Sequence, residues 1–250
     1  MMNTHTAMKH DRRGFLVAAG SAIAGLSLAG LTRTVLAAEP PRPKIGIVGS
    51  GRIGGTLGGL WLKAGHQVMF SSLDLEHDKA LAARLGAGAH AGTPKEAAAF
   101  GEVLLISVPY AALPQLGKDL GDAIKGKVLL DTCNPIPARD GEMAIEARAK
   151  GTGIASPQLL PGARLVRAFN SVGHAMLQSE AHRASERVAI PLAGDDAEAL
   201  ATAVRLVQEA GFEAVVVGPL ARAREFDPGT AVFGKALTAV ELRRGLGINP

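Results

Sequence analysis

The residues with the plainest chemical purpose stand six in a row: Gly49, Ser50, Gly51, Arg52, Ile53 and Gly54. Each glycine of this G-x-G-x-x-G run has its own physical task. Gly49 permits a tight turn, Gly51 lets a pyrophosphate come up against the backbone, and Gly54 lets a helix pack closely on a strand. The start of a helix also presents backbone N–H groups that lack intrahelical partners, and its dipole favours anions, so a loop of this kind suits the phosphates of a dinucleotide. A glycine-rich turn without a ligand is the competing interpretation. Such a turn gains nothing from three residues that only weaken a helix start.

The spacing carries meaning if a strand enters the loop and a helix leaves it. Lys44 to Val48 has strand character, and Ile53, Leu57, Leu60, Trp61 and Ala64 then recur at helical spacing until Gly65 closes the helix. Trp61 is read as core packing. Gln67 to Ser71 supplies a second strand at the expected distance, followed by strand candidates at Val103 to Val108, Val128 to Asp131, Arg164 to Phe169, Val188 to Ala193 and Ala214 to Val217. Helical patterns alternate with them, which predicts an α/β class: a Rossmann-type doubly wound parallel sheet with a smaller C-terminal α/β segment. The last unit takes its helix from Leu192 to Gly211, with Gly194-Asp195-Asp196 as cap, and the chain after Gly218-Pro219 is expected to be helical up to Gly245. The boundaries drawn are a dinucleotide-binding domain over 44–173 and a smaller domain over 174–250.

The end of the second strand distinguishes the two nicotinamide cofactors. An Asp or Glu there bonds the ribose hydroxyl of NAD, whereas hydroxyls and Arg accommodate the extra phosphate of NADP. Phe70-Ser71-Ser72-Leu73-Asp74 offers Ser71 and Ser72 to a phosphate, with the first acid slightly late. NADP is the expected cofactor, with NAD left open, and Arg52 is available to supply part of the missing positive charge.

Taken together, these residues resemble the NADPH-dependent reductases of the deazaflavin coenzyme F(420). That family shares its N-terminal half with pyrroline-5-carboxylate reductases and with the cytosolic domain of metal-reducing transmembrane proteins. The resemblance runs over Pro43 to Asn249 and rests on Ile45 to Gly54, Gly65-His66-Gln67-Val68 and Ser71-Ser72. It continues in Val108-Pro109-Tyr110, Asn134-Pro135, Gly194-Asp195-Asp196, and Gly218-Pro219-Leu220 with Arg222 to Glu225. It implies that Ser50 and Ser72 face the adenosine phosphates, that Val108 and Pro109 line the nicotinamide side, and that Asn134 belongs to the same cofactor site. The family usually carries Arg after the second serine, and this chain has Leu73.

The implied reaction is hydride transfer between nicotinamide and a deazaflavin. It needs two stacked rings in a dry cleft and no protein nucleophile, so no catalytic residue is singled out. No metal site is expected either: His66, His90, His174 and His182 lack ligand company and read as surface or packing residues. Ligands of open α/β sheets sit beyond the carboxyl ends of the strands, which selects Ser107 to Tyr110, Cys133 to Pro135 and Phe169 to Ser171. None of these positions encodes one acceptor, and coenzyme F(420), flavins, quinones, chelated ferric iron and a cyclic imine all stay open as the small-molecule redox partner. Two other readings stand beside the oxidoreductase: a dinucleotide-binding module that senses without turnover, and an imine reductase of the pyrroline-carboxylate type.

The N-terminus reads as an address. Lys9 to Arg13 is basic, Phe15 to Leu31 is apolar but thinned by Gly and Ser, and Val35-Leu36-Ala37 offers a cleavage site. Arg12-Arg13 followed by Phe15-Leu16 resembles the twin-arginine export signal. Residues 1–37 are therefore assigned to a signal, 38–43 to a linker, and the mature chain to the periplasm or the exterior, with the twin-arginine machinery as a partner and no lasting membrane span. Of the 27 basic and 23 acidic side chains, the signal holds Lys9, Arg12, Arg13 and Arg33 against Asp11, which leaves the remainder at a formal +1. That balance gives nucleic-acid binding no support. Cys133, the single cysteine, excludes an intrachain disulfide and reads as a buried structural thiol, and a homodimer is left open.

Overall fold

The computed structural model describes residues 42–249; the segment 1–37 expected to be an export signal and most of the expected linker lie outside the described residues. At the middle of the sheet, β1 (Ile45–Val48) and β4 (Val103–Ile106) are buried at every position. Helices cover both faces there, so no position along these strands is left for a polar side chain. Around them the chain runs α1 (Arg52–Lys63), β2 (Val68–Ser71), α2 (Leu75–Leu85), β3 (Ala89–Ala91) and α3 (Pro94–Phe100) before β4. It continues through α4 (Leu113–Leu120), β5 (Val128–Asp131), α5 (Pro137–Asp140), α6 (Glu142–Lys150), α7 (Thr152–Leu159), β6 (Arg164–Arg167) and α8 (His174–Ser179). The last elements are β7 (Ala189–Gly194), α9 (Ala197–Glu209), β8 (Glu213–Gly218) and α10 (Ala239–Gly245).

The eight strands form one sheet in the order β3-β2-β1-β4-β5-β6-β7-β8, parallel throughout except where β6 meets β7. The fold is a Rossmann-type α/β sheet. Strand order reverses at β1, so the loops after β1 and β4 diverge and leave a crevice beyond their carboxyl ends. Trp61 fixes the helix that lines this crevice. Its indole N–H donates to the Leu206 carbonyl at 2.8 Å, and its ring meets Phe169 edge-on, which ties α1 to α9 through a buried apolar cluster.

Three features differ from the sequence expectation, each for a local reason. β3 is not among the expected strands, because Ala89-His90-Ala91 is too short to show a period. The segment 174–250 places β7 and β8 on the edge of the same sheet, and β7 enters antiparallel, which a chain pattern of alternating elements does not reveal. The stretch after Gly218-Pro219 is not one helix: a 3-10 segment spans Leu220–Glu225, and α10 begins only at Ala239. Pro228-Gly229 and Gly234 interrupt the region between.

Candidate functional site

The three glycines occupy three different environments. Gly49 has φ +100°, and a Cβ there would lie 2.1 Å from the Ser107 carbonyl oxygen. Only glycine makes that turn. A Cβ on Gly54 would lie 2.1 Å from the Gly49 carbonyl oxygen, so its missing side chain is what lets α1 sit against β1. Gly51 is the opposite case: nothing lies within 4 Å of its Cβ position. No packing contact of the fold requires a glycine there, and this cradle fits a pyrophosphate. α1 also starts without a side-chain cap and without an acid in its first turn, as do α4, α7 and α8, whereas Asp74, Thr93, Asp196 and Thr238 cap α2, α3, α9 and α10. An uncapped start leaves its N–H groups and dipole available to an anion.

The serines are placed differently from the simplest expectation. Ser71 is buried and donates its hydroxyl to the Ile47 carbonyl at 2.7 Å, so it stitches β2 to β1. Ser50 is buried too, and its hydroxyl donates to Asp78. Ser72 is half-buried and donates at 2.9 Å to the other oxygen of the same carboxylate. Asp78 lies on α2 with no exposed surface, and its sequence setting among solvent-facing charges gives no sign of this role. Leu73 projects fully into solvent beside them.

Beyond β4 and β5 lies a cavity of about 300 Å³ lined by Gly51, Arg52, Ile53, Ser107, Val108, Pro109, Thr132, Cys133, Asn134, Ile136 and Arg139. The structure thus brings the phosphate loop together with Val108, Pro109 and Asn134. A larger groove, about 640 Å³, follows α1 and α2 past Gly55, Gly59, Lys63 and Arg84. Size does not make it the reaction site, because it leaves the strand ends where ligands of such sheets are held.

Asn134 is held from behind. Its side-chain N–H donates to the Asn170 carbonyl at 2.7 Å, and its oxygen accepts from Arg167 at 3.1 Å. Arg167 has no exposed surface; it pairs with Asp131 at 3.0 Å and Asp227 at 3.1 Å, and donates to the Cys133 carbonyl at 2.7 Å. Burial pulls its pKa down, but the Asp131 and Asp227 carboxylates outweigh that and hold the guanidinium above its ordinary value. The sequence reading missed this network, because Arg167 looks like one residue of a strand and its partners lie 36 and 60 positions away. Arg139 stands at the mouth of the cavity, gripped by both oxygens of Asp140 and donating to the Asn134 carbonyl at 2.8 Å.

Other expected residues support the site, and of those that follow only Cys133 also lines it. Tyr110 is buried, with its hydroxyl 3.3 Å from Ser156, and burial pushes its pKa up to about 12. Burial likewise raises the Cys133 thiol well above its usual range, and Asp131 adds to the effect. A thiol in that state is a poor nucleophile. Phe169 adopts φ +60° and packs between Trp61 and Phe212, delivering Asn170 to Asn134. The late motifs brace the sheet: Asp196 caps α9 and pairs with Arg164, whose hydrogen bonds hold the Asp196 pKa down at about 2, while Asp195 accepts from the Leu220 N–H. His66 is a packing residue, bonded to Pro43 and Glu209.

Residues 44–135 match the family described as NADP oxidoreductase, coenzyme F420-dependent. Over this stretch the chain is similar to that family, and its fold is of the Rossmann type. Over 195 residues the chain is 30% identical to Metalloreductase STEAP3 of Rattus norvegicus, a match that covers 76% of this chain and 37% of the metalloreductase. The chain therefore spans little more than a third of that relative. Among solved structures, a hypothetical protein of Sinorhizobium meliloti superposes with a TM-score of 0.67 at 23% identity, covering 79% of this chain and 96% of its own. An imine reductase of Myxococcus stipitatus in complex with NADP+ reaches 0.54 at 20% identity, over 73% of this chain and 57% of its own. At such identities the likeness is one of fold.

Proposed function

We propose that the chain is an NADP-dependent oxidoreductase that passes a hydride between NADP(H) and a flat, redox-active ring such as a deazaflavin or flavin. The observation that carries this reading is the open Gly51 position at the uncapped start of α1, facing into the same cavity as Val108, Pro109 and Asn134. When bound, the nicotinamide supplies the hydride. The chain's own residues bind and orient. Gly51, Arg52 and Ile53 receive the phosphates, Val108 and Pro109 give an apolar wall that sheds water, and Asn134 forms a fixed edge. Because both ends of the Asn134 amide are already bonded to Asn170 and Arg167, its part is shape rather than proton transfer.

Hydride transfer needs the two rings stacked at about 3 to 3.5 Å, so bulk at the wall should harm turnover more than binding. Asn134→Trp is expected to cut turnover at least about tenfold while NADPH affinity changes less than about threefold. The assay follows NADPH absorbance with coenzyme F(420), FMN, riboflavin, a quinone and ferric chelate supplied in turn. If NADPH binds but none of these is reduced above the protein-free rate, the non-catalytic module replaces the enzyme. Reduction of a ferric chelate or quinone alone would retain the enzyme and discard the deazaflavin.

Binding of the extra phosphate of NADP has its own test at Leu73, where the resembled family carries a cation. Leu73 makes no use of its position in the fold, being fully exposed, so replacing it should leave stability unchanged. A charge-assisted hydrogen bond is worth about 1.5 to 3 kcal/mol, so Leu73→Arg should tighten NADPH roughly tenfold or more and leave NADH nearly unaltered. Equal gains for both cofactors in a calorimetric titration would mean that the extra phosphate does not sit beside residue 73.

A further inference from the structure

We propose that Asp78 is the residue that sets how strongly the site discriminates between NADP(H) and NAD(H), by taking the hydroxyl protons that a 2′-phosphate would need, so that NADH is accepted alongside NADPH. The inference rests on the dinucleotide reading above and concerns its adenosine end.

A phosphate only accepts hydrogen bonds, and a serine hydroxyl has one proton to give. Three serines stand at the end of β2 and the start of the phosphate loop, and each has spent that proton inside the protein. Ser71 gives its proton to the Ile47 carbonyl at 2.7 Å, Ser50 to one oxygen of Asp78, and Ser72 to the other at 2.9 Å. Ser72 has a second acceptor, the Asp74 carbonyl at 3.2 Å, but the shorter bond to a carboxylate is the stronger. Its oxygen also accepts from the Asp74 N–H at 3.1 Å. Leu73, next in the chain, has neither donor nor charge on its side chain. A 2′-phosphate arriving here meets the remaining lone pair of Ser72 and a carboxylate beneath it, with Arg52 and His77 lining the adjoining groove as the cations within reach.

A ribose 2′-hydroxyl meets the same atoms on better terms. It carries a proton of its own, and Ser72 has acceptor capacity for it. Acid-based selection of NAD is ordinarily made by a carboxylate at the strand end that touches the ribose directly. Asp78 has no exposed surface, so it acts through Ser72 and is a positioning residue. The basic group beside it is His77, whose Nδ1 lies 3.5 Å from the carboxylate on the exposed side of α2.

Asp78→Asn keeps the shape and changes the proton count. The amide oxygen so introduced accepts from one serine while the amide N–H donates to the other, which frees one hydroxyl proton for the phosphate and removes a negative charge. In the full chain, Asp78→Asn is expected to tighten NADPH about tenfold or more and NADH less than about threefold, since one charge-assisted bond is gained by one cofactor only. A purely structural role would move both together. Asp78→Ala, which frees both hydroxyls, should shift the ratio in the same direction. Ser72→Ala should cost NADPH at least about fivefold more in the Asp78→Asn background than in the wild type, as expected of coupled groups. In the wild type the two dissociation constants should lie within about tenfold of each other.

The proposal is overturned if Asp78→Asn and Asp78→Ala leave the NADPH-to-NADH ratio unmoved, or if the Ser72 penalty is the same in both backgrounds. It is also overturned, without any variant, if the wild type prefers NADPH by more than about a hundredfold. Binding of neither dinucleotide to the wild type would overturn the underlying reading and this one with it, and is seen in the first titration.

Discussion

Gly51→Val should yield a folded protein that no longer holds a dinucleotide. The backbone at Gly51 has φ −65°, which any residue adopts, and its Cβ position meets no heavy atom within 4 Å. The fold therefore has room for the new side chain. Its cost should stay within about 1 kcal/mol, mostly from a less favourable helix start. A valine there, however, stands where the pyrophosphate must reach the backbone, and both NADPH and NADH should weaken by more than about a hundredfold. Gly54→Val makes the contrast. Its Cβ would fall 2.1 Å from the Gly49 carbonyl oxygen and 3.0 Å from Ile47, so that change should prevent folding. Titration and circular dichroism on the two variants separate binding from packing. If folded Gly51→Val bound either cofactor within about threefold of the wild type, the loop would not be the phosphate site.

The contrast also marks what the sequence could disclose. The strand, loop and helix from Ile45 to Lys63 were legible because the pattern there is local: a strand run, three glycines at fixed spacing and a helical period follow one another without a gap. The serines were legible in type but not in direction. Successive strand residues face opposite sides, so Ser71 turns into the sheet while Ser72 turns towards the site, and the dipeptide alone does not say which is which. Asp78 was hidden for another reason. On α2 it follows Asp74, Glu76 and His77 and reads as one more solvated charge, and only the approach of Ser50, 28 positions earlier, makes it a buried acceptor. The antiparallel entry of β7 depends on tertiary pairing with β6, which has no signature in the strand itself.

Arg167→Met should be among the most destabilising single changes in the chain. The guanidinium has no exposed surface and faces two carboxylates, Asp131 at 3.0 Å and Asp227 at 3.1 Å. Asp131 has no exposed side-chain surface and would keep the Cys133 N–H at 2.8 Å; Asp227 would keep the Thr152 hydroxyl and N–H. Methionine fills similar space but leaves both acids without their cation. Breaking a buried pair by removing one partner costs about 3 to 5 kcal/mol, because the remaining charge stays desolvated. In a domain of this size that is a fall in melting temperature of roughly 6 to 20 °C. The loss reaches the site as well, since the Asn134 side-chain oxygen then lacks its Arg167 donor and Asn134 is held chiefly through Asn170. Turnover should therefore fall even below the melting range. Arg167→Lys separates charge from geometry: one ammonium restores the positive charge but does not span Asp131, Asp227, the Cys133 carbonyl and Asn134 together, so stability should return in part and turnover less. Adding Asp131→Asn to Arg167→Met removes one orphaned charge and should recover part of the melting temperature. A melting temperature of Arg167→Met within about 2 °C of the wild type would mean that the buried acids find other partners, and that the wall of the cavity does not depend on this arginine.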